Sequence, residues 1–231
     1  MDRKPPLPML LARALLATLF EATLLAWGLG GFPALIANPR ALALLAIWFT
    51  TTAVLTVTRP GRGQEVSRSE KDPRAMLALA LLPLATPGVA AWGGRIAWLP
   101  LPAPELLGWL GVALSAAGLG LRVAAMRQLG VRFSPLLAIQ REHALETTGW
   151  YAHVRHPGYL GALLACFGSA LAFGSALALP LAVAMAAFQI ARVGREEALL
   201  RAHFGSAWTH YAARTGALWP RFGSDSAPSE P

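Results

Sequence analysis

All five histidines of this 231-residue chain, His143, His153, His156, His203 and His210, fall between residues 143 and 210, in the same region as Glu142, Glu146, Glu196 and Glu197. The side chains best suited to move protons or hold polar ligands near neutral pH are therefore concentrated there. Within that stretch, Gly149-Trp-Tyr-Ala-His-Val-Arg155-His156-Pro157-Gly158-Tyr159-Leu160-Gly161 has a readable local geometry. Proline at 157 biases His156 toward an extended backbone and suits the first turn of a following helix. Arg155 and His156 are thereby left on a polar loop at a helix N-terminus, where backbone donors and the helix dipole favour a carboxylate or phosphate. Gly158 and Gly161 allow another backbone or a flat ligand to approach.

A second cluster runs Arg192-Val-Gly-Arg195-Glu196-Glu197-Ala-Leu-Leu200-Arg-Ala-His-Phe204-Gly205-Ser-Ala-Trp208-Thr-His-Tyr211. Arg192 and Glu196 are four residues apart and share a helix face, as do Glu197 and Arg201. Gly205 reads as a helix break, with Trp208 and Tyr211 on the next turn. Metal chemistry is a poor fit. His153 and His156 form one HxxH pair, without the repeated boxes of a di-iron site, and no HExxH occurs. The single Cys166 excludes an intramolecular disulfide and a thiolate zinc cluster.

The elements that carry these clusters are apolar. Hydrophobic residues make up 55% of the chain and charged ones 14%, with a mean hydropathy of +0.47, too few polar groups to coat a soluble globule. Four blocks reach the roughly 20 residues needed to cross about 30 Å of hydrocarbon: Leu7 to Leu29, Ala41 to Thr58, Ala75 to Trp92 and Leu106 to Met126. A fifth, Gly158 to Ala191, is uncharged throughout and would be about 51 Å long as one helix, so it must turn, with Phe173-Gly174-Ser175 and Pro180 as the corner. The hairpin carries its entry, Arg155 and His156, back to the side where Arg192 and Glu196 emerge. The predicted fold class is an all-α polytopic membrane protein of five or six spans, with a C-terminal hairpin and a cytoplasmic C-terminal helix. Its parts are four N-terminal transmembrane helices over 1–126, a motif-bearing part over 127–222 and a disordered Ser- and Pro-rich tail over 223–231, together one structural unit. The first block exceeds a signal-peptide core and lacks a small-x-small cleavage site, so it reads as a retained anchor. Glu21 lies near the middle of that span, an intramembrane acid that is either functional or bonded to Thr18 or another helix.

The net charge of +8 is a matter of topology, not of nucleic-acid binding, because the basic residues lie between apolar blocks. Sixteen fall in the N-terminus, the loops after the second and fourth spans, and the region from Arg192 onward, whereas the alternate loops hold only Arg40 and Arg95. Arg13 and Arg122 lie near helix ends from which they can snorkel.

His143-x-Leu145-x-Thr147-x-Gly149-x-Tyr151, then Arg155-His156-Pro157-x-Tyr159-x-Gly161, then Glu196-Glu197-x-x-Leu200-x-x-x-Phe204-Gly205-x-x-Trp208-x-x-Tyr211 together resemble the isoprenylcysteine carboxyl methyltransferase family and related phospholipid N-methyltransferases. The similarity covers about Arg127 to Pro220. Trp150 stands where bacterial members usually have Pro, Glu146 where an aliphatic residue is usual, Trp208 where Tyr is usual, and Ala217 where many members carry Arg. The resemblance implies an integral membrane enzyme that uses S-adenosylmethionine without a Rossmann fold. It implies that Tyr151, Val154, Arg155, His156, Tyr159 and Leu160 shape the cofactor pocket, that Glu196 or Glu197 holds the cofactor's amino group or ribose, and that Arg192 and Glu196 are catalytic. The acceptor would be a lipophilic or small molecule carrying a carboxylate, amine or thiol, met in a lipid setting, with no metal and no nucleic acid. An NADPH-dependent membrane reductase of the sterol reductase type shares an RHPxY-like element and is the rival reading; a small transporter or partner-binding membrane protein is the non-enzymatic one. The expected location is a bacterial inner membrane with both termini cytoplasmic. A reporter fused to the C-terminus should be active in the cytoplasm; activity confined to the periplasm would overturn that orientation.

Overall fold

The computed structural model describes residues 6–58, 65–68, 73–130, 133, 138–140 and 144–221. The tail at 223–231, Glu142 and His143 lie outside them. Helices α1 (Leu7–Leu29), α3 (Pro39–Thr58), α4 (Pro73–Arg95) and α5 (Pro104–Leu129) are the four long apolar blocks, with a one-turn α2 (Phe32–Ile36) between the first two. The uncharged run folds into α7 (Pro157–Leu171), a corner with a 3-10 turn at Ala176–Ala178, and α8 (Leu179–Phe204); α6 (Trp150–His153) precedes it and α9 (Ser206–Arg214) follows. Five segments, the last beginning at Ala176, are long and apolar enough to cross a membrane, and α7, with 15 residues, is shorter. The chain is an integral membrane protein of the expected helical architecture. One small addition appears among the described residues: β1 (Glu65–Arg68) and β2 (Ala138–Gln140) pair antiparallel, Glu65 opposite Gln140, joining two polar inter-helix loops.

The hairpin turns where glycine and proline predict it. Gly174 has φ 71°, in the left-handed region. The loop after α4 pins the corner: Leu101 N–H donates to the Gly174 carbonyl at 2.9 Å, Ala176 N–H to Leu99 at 2.8 Å, and the Ser175 hydroxyl to Trp98 at 2.6 Å. At 26 residues α8 is about 39 Å long, so it projects beyond the hydrocarbon. The residues from Arg192 to Phe204 are its continuation, broken at Gly205 (φ 54°) before the separate α9.

Packing relies on small residues. Helices in lipid gain little from hydrophobic association and instead approach closely where side chains are absent. On α5 the stripe Gly111, Ser115, Gly118 and Arg122 faces Gly161, Ala165 and Gly168 of α7 and Ala172 just beyond its end. A Cβ added at Gly118 would lie 2.5 Å from both Ala165 N and the Gly161 carbonyl, and one at Gly161 would lie 2.4 Å from the Gly118 carbonyl. Ser115 adds hydrogen bonds to the Ala165 carbonyl (3.1 Å) and to Ser169 (3.2 Å). Gly161 therefore serves the backbone approach that its position suggests, whereas Gly158 remains open toward the interior. Leu25, Leu44, Ala90, Cys166, Ala182 and Met185 fill the shared core, and Leu16, Trp27 and Ile36 face outward. Glu21 is buried in α1 without a partner for either oxygen among the described residues, since the Thr18 hydroxyl donates to Ala14 instead.

Gly118→Val should force α5 from α7 and, as overpacking, lower stability by about 1–3 kcal/mol, whereas Gly120→Val, with nothing within 4 Å of its Cβ, should be tolerated. Thermal unfolding of the two variants in detergent decides this; equal midpoints would contradict the packing account.

Candidate active site

The close α5–α7 contact fixes the start of α7, and with it His156 and Tyr159. His156 caps the helix with a non-helical backbone (φ −127°, ψ 60°) that falls short of the extended conformation expected before proline, Pro157 follows at the first position, and Tyr159 and Leu160 N–H groups return to the His156 carbonyl at 3.1 Å. A strap beyond α9 holds the other side of this loop. Val154 bridges Gly216 in parallel, Arg155 N–H donates to the Gly216 carbonyl at 2.8 Å, and His156 N–H donates to Ala217 at 3.0 Å.

Arg155 is the hub of the ionic network. Its Nε and Nη2 each lie 2.8 Å from Glu197 Oε1, and its Nη1 donates to the carbonyls of Ala212, at 3.1 Å, and Thr215. Its guanidinium also sits 5.9 Å from the centre of the Trp208 ring, a cation–π distance. The buried His156, 4% exposed, places Nε2 3.2 Å from the same Glu197 oxygen and Nδ1 4.0 Å from Glu196. Glu196 is reached from a second direction. The Tyr159 hydroxyl donates to Glu196 Oε2 at 2.7 Å and accepts from Arg192 Nε at 2.7 Å, so one phenol links the arginine to the carboxylate. Arg192, 4% exposed, also stacks 5.9 Å from the Tyr159 ring centre.

These groups line one end of a cavity of about 570 Å³, within the range of about 300–1,000 Å³ typical of small-molecule sites. Tyr151, Arg155, His156, Tyr159, Arg192 and Glu196 face it, with Trp208 and Tyr211 beside them. Val154, Leu160 and Glu197 stand behind the lining: Val154 in the backbone bridge, Glu197 as counter-ion to Arg155 and His156. The cavity continues to membrane depth between Trp48, Thr51 and Leu55 of α3 and Leu79 and Pro83 of α4, over Cys166 and Ser169 of α7 and Met185 of α8. Burial pushes the Tyr211 hydroxyl up to about 12, and raises that of Tyr151, where the Glu196 charge adds to the effect. Both phenols are neutral donors at physiological pH: Tyr211 to the Tyr151 carbonyl at 2.6 Å, and Tyr151 to that of Ala125 at 3.4 Å.

Two participants, Arg122 and Gln189, escape a sequence reading. Arg122 does not snorkel; its position on the α7-facing side of α5 lets Nη1 donate to the Gly158 carbonyl at 2.9 Å, and it lines the cavity. A lone cation inside an apolar helix is its only signal. Gln189, on the Arg192 face of α8, and the Trp208 indole N–H are buried lining groups without a hydrogen-bond partner among the described residues. His153, His203 and His210 are exposed. Among the described residues, no three His, Cys, Asp or Glu side chains are grouped to hold a metal.

Residues 106–207 match the model of the phospholipid methyltransferase family. The chain is 36% identical over 94 residues to a protein-S-isoprenylcysteine O-methyltransferase of Schizosaccharomyces pombe, a match covering 39% of this chain and 40% of that protein. It is 34% identical over 107 residues to protein-S-isoprenylcysteine O-methyltransferase B of Arabidopsis thaliana, covering 45% and 54%. The matches thus span about half the length of these relatives. A solved structure of the eukaryotic intramembrane Ras methyltransferase ICMT shares the fold, with a TM-score of 0.57, covering 87% of this chain and 74% of that one at 21% identity. The motif resemblance is thus shared by a family model and by sequence relatives, and the membrane fold by a solved structure.

Arg155→Ala removes the donor to Glu197 and to two carbonyls and should lower stability by about 2–3 kcal/mol, with Arg155→Lys recovering part because lysine lacks the planar fork. His153→Ala, at an exposed site, should match the parent. Thermal unfolding is the measurement, and an Arg155→Ala midpoint as high as that of His153→Ala would remove Arg155 from its place as hub.

Proposed function

We propose that this chain is an integral membrane methyltransferase that transfers a methyl group from S-adenosylmethionine to a lipophilic acceptor. One observation carries the reading: a single cavity joins the polar cluster of His156, Tyr159, Arg192 and Glu196 to an apolar cleft at membrane depth between α3 and α4. A polar donor and a lipid-borne acceptor can meet there. The protein-S-isoprenylcysteine relatives, named for a prenylated carboxylate, support the acceptor class.

The polar end suits the cofactor. Glu196 offers an anion for its ammonium, His156 and the α7 N-terminus face its carboxylate, and the Trp208 N–H is an open donor for a hydroxyl or ring nitrogen. Bound there, S-adenosylmethionine supplies an electrophilic methyl on a sulfonium. The chain supplies position and a dry environment. Arg192, oriented by Tyr159, presents a buried cation to an anionic acceptor. An ionised carboxylate needs no base to accept a methyl, whereas an amine or thiol releases a proton, for which Glu196 is a carboxylate lining the cavity. Arg155 is occupied by Glu197 and carbonyls, which weakens the NADPH reading by removing a cation that its diphosphate would use. Both termini lie on the cytoplasmic side in this proposal, and the part over 127–222 carries the activity.

Calorimetry of the detergent-purified protein should show binding of S-adenosylhomocysteine and none of NADPH. His156→Ala and Glu196→Gln should weaken it about a hundredfold or more in folded protein, Arg192→Ala should chiefly reduce turnover, and His210→Ala should do little. Tight NADPH binding with no response to S-adenosylhomocysteine would move the assignment to the reductase class, and unchanged affinity in both of the first two variants would place the cofactor elsewhere.

A further inference from the structure

We propose that Gln189 is the residue that reads the acceptor, holding an amide-type group of the bound molecule about one helical turn below the site of methyl transfer. The inference rests on the reading above, that the apolar end of the cavity takes a lipophilic acceptor.

Met185, Gln189, Arg192 and Glu196 recur at spacings of four, three and four along α8 and all line the cavity, as one face of a helix must. This face descends from carboxylate to guanidinium to carboxamide to thioether. Gln189 is 1% exposed, and neither its Oε1 nor its Nε2 has a hydrogen-bond partner among the described residues. An amide buried without partners is costly, and a site that keeps one is complete only when a ligand satisfies it. Two polar groups of α7 that line the same cavity are engaged: Cys166 with Thr86 at 3.5 Å, and Ser169 with Ser115 at 3.2 Å. The α3–α4 end of the cavity is walled mainly by apolar side chains, among them Leu55, Leu79, Pro83 and Met185, with Thr51 and Thr52 on α3.

A primary carboxamide offers one donor and one acceptor side by side. Its complement is a neutral group with the same pair, above all the N–H and C=O of an amide. A charged group is disfavoured at that depth, and the cation suited to one is Arg192, three residues and about 4.5 Å along the axis toward the polar end. The order of recognition along α8 is therefore an anion or nucleophile at Arg192, an amide at Gln189 and a hydrocarbon chain beyond. A site built to pair with such a group discriminates sharply against a molecule lacking it, because its own polar atoms are then left unpaired.

The test uses two carboxylates with the same prenyl thioether tail, N-acetyl-S-farnesylcysteine, which has the amide, and 3-(farnesylthio)propanoic acid, which lacks it. Binding is measured in lipid nanodiscs with S-adenosylhomocysteine present, and methyl transfer separately with S-adenosylmethionine. The parent should prefer the amide-bearing probe by about tenfold, and Gln189→Leu should bring the ratio near one by weakening that probe alone. Gln189→Met, of similar length, supplies the same comparison if the leucine variant folds poorly. A ratio near one in the parent, or an unchanged ratio in the folded variants, would overturn the proposal, as would failure of both probes to bind. Selective binding without methyl transfer would sink the transferase reading and leave the role of Gln189 standing. Transfer to both probes with equal kcat/KM in parent and variant would do the reverse.

Discussion

The guanidinium of Arg155 joins three segments that are remote in sequence: the loop before α7, the polar extension of α8 through Glu197, and the end of α9 through two carbonyls. No other described side chain spans all three. Because Glu197 is held by Arg155 and His156, its neighbour Glu196 on the helix is turned toward Tyr159 and the cavity. The paired glutamates therefore divide their labour, one neutralising the structural cations and the other facing the ligand space. Such an ion pair, half-shielded from water, is strong enough to organise the loop while requiring each charge to keep its partner.

The membrane imposes the complementary constraint. Below the ionic layer the helices have no solvent to drive them together, and the α5–α7 seam is built from glycine, alanine and serine with backbones nearly touching. That seam leaves space elsewhere. The cavity is lined between α3 and α4 by Trp48, Thr51, Leu55, Leu79 and Pro83. Small residues close the α5–α7 contact, and larger side chains line the space between α3 and α4.

The spans were legible because hydrocarbon thickness sets a length that composition alone can match, and α1 begins and ends where its apolar block does. The hairpin was legible for a related reason, since a 34-residue uncharged run has no straight solution in a bilayer. Most of the polar site was legible through the pattern around Arg155 to Gly161 and Glu196 to Tyr211. What was hidden depends on contacts between distant backbones or on helix rotation. The strap at 215–217 has no periodicity to announce it, and the β1–β2 pairing joins two loops without a hydrophobic pattern. Arg122 looked like a snorkelling side chain because its helix was known but its rotation was not. Gln189 drew no notice because a neutral amide in an apolar run is chemically significant only once both its atoms are seen to lack partners.

Tyr159 shows why the site needs both motifs at once. Its hydroxyl accepts from Arg192 and donates to Glu196, so the phenol sets the distance between a cation and an anion on one helix face that could otherwise close directly on each other as an i,i+4 pair. Direct closure would satisfy both charges and leave little field for a ligand. By inserting a neutral group supplied from α7, the fold holds Arg192 and Glu196 in fixed orientation on the cavity wall. The spacing of cation and anion along the cavity wall is therefore a property of the hairpin, since it is the return of α8 past the start of α7 that brings Tyr159 between Arg192 and Glu196.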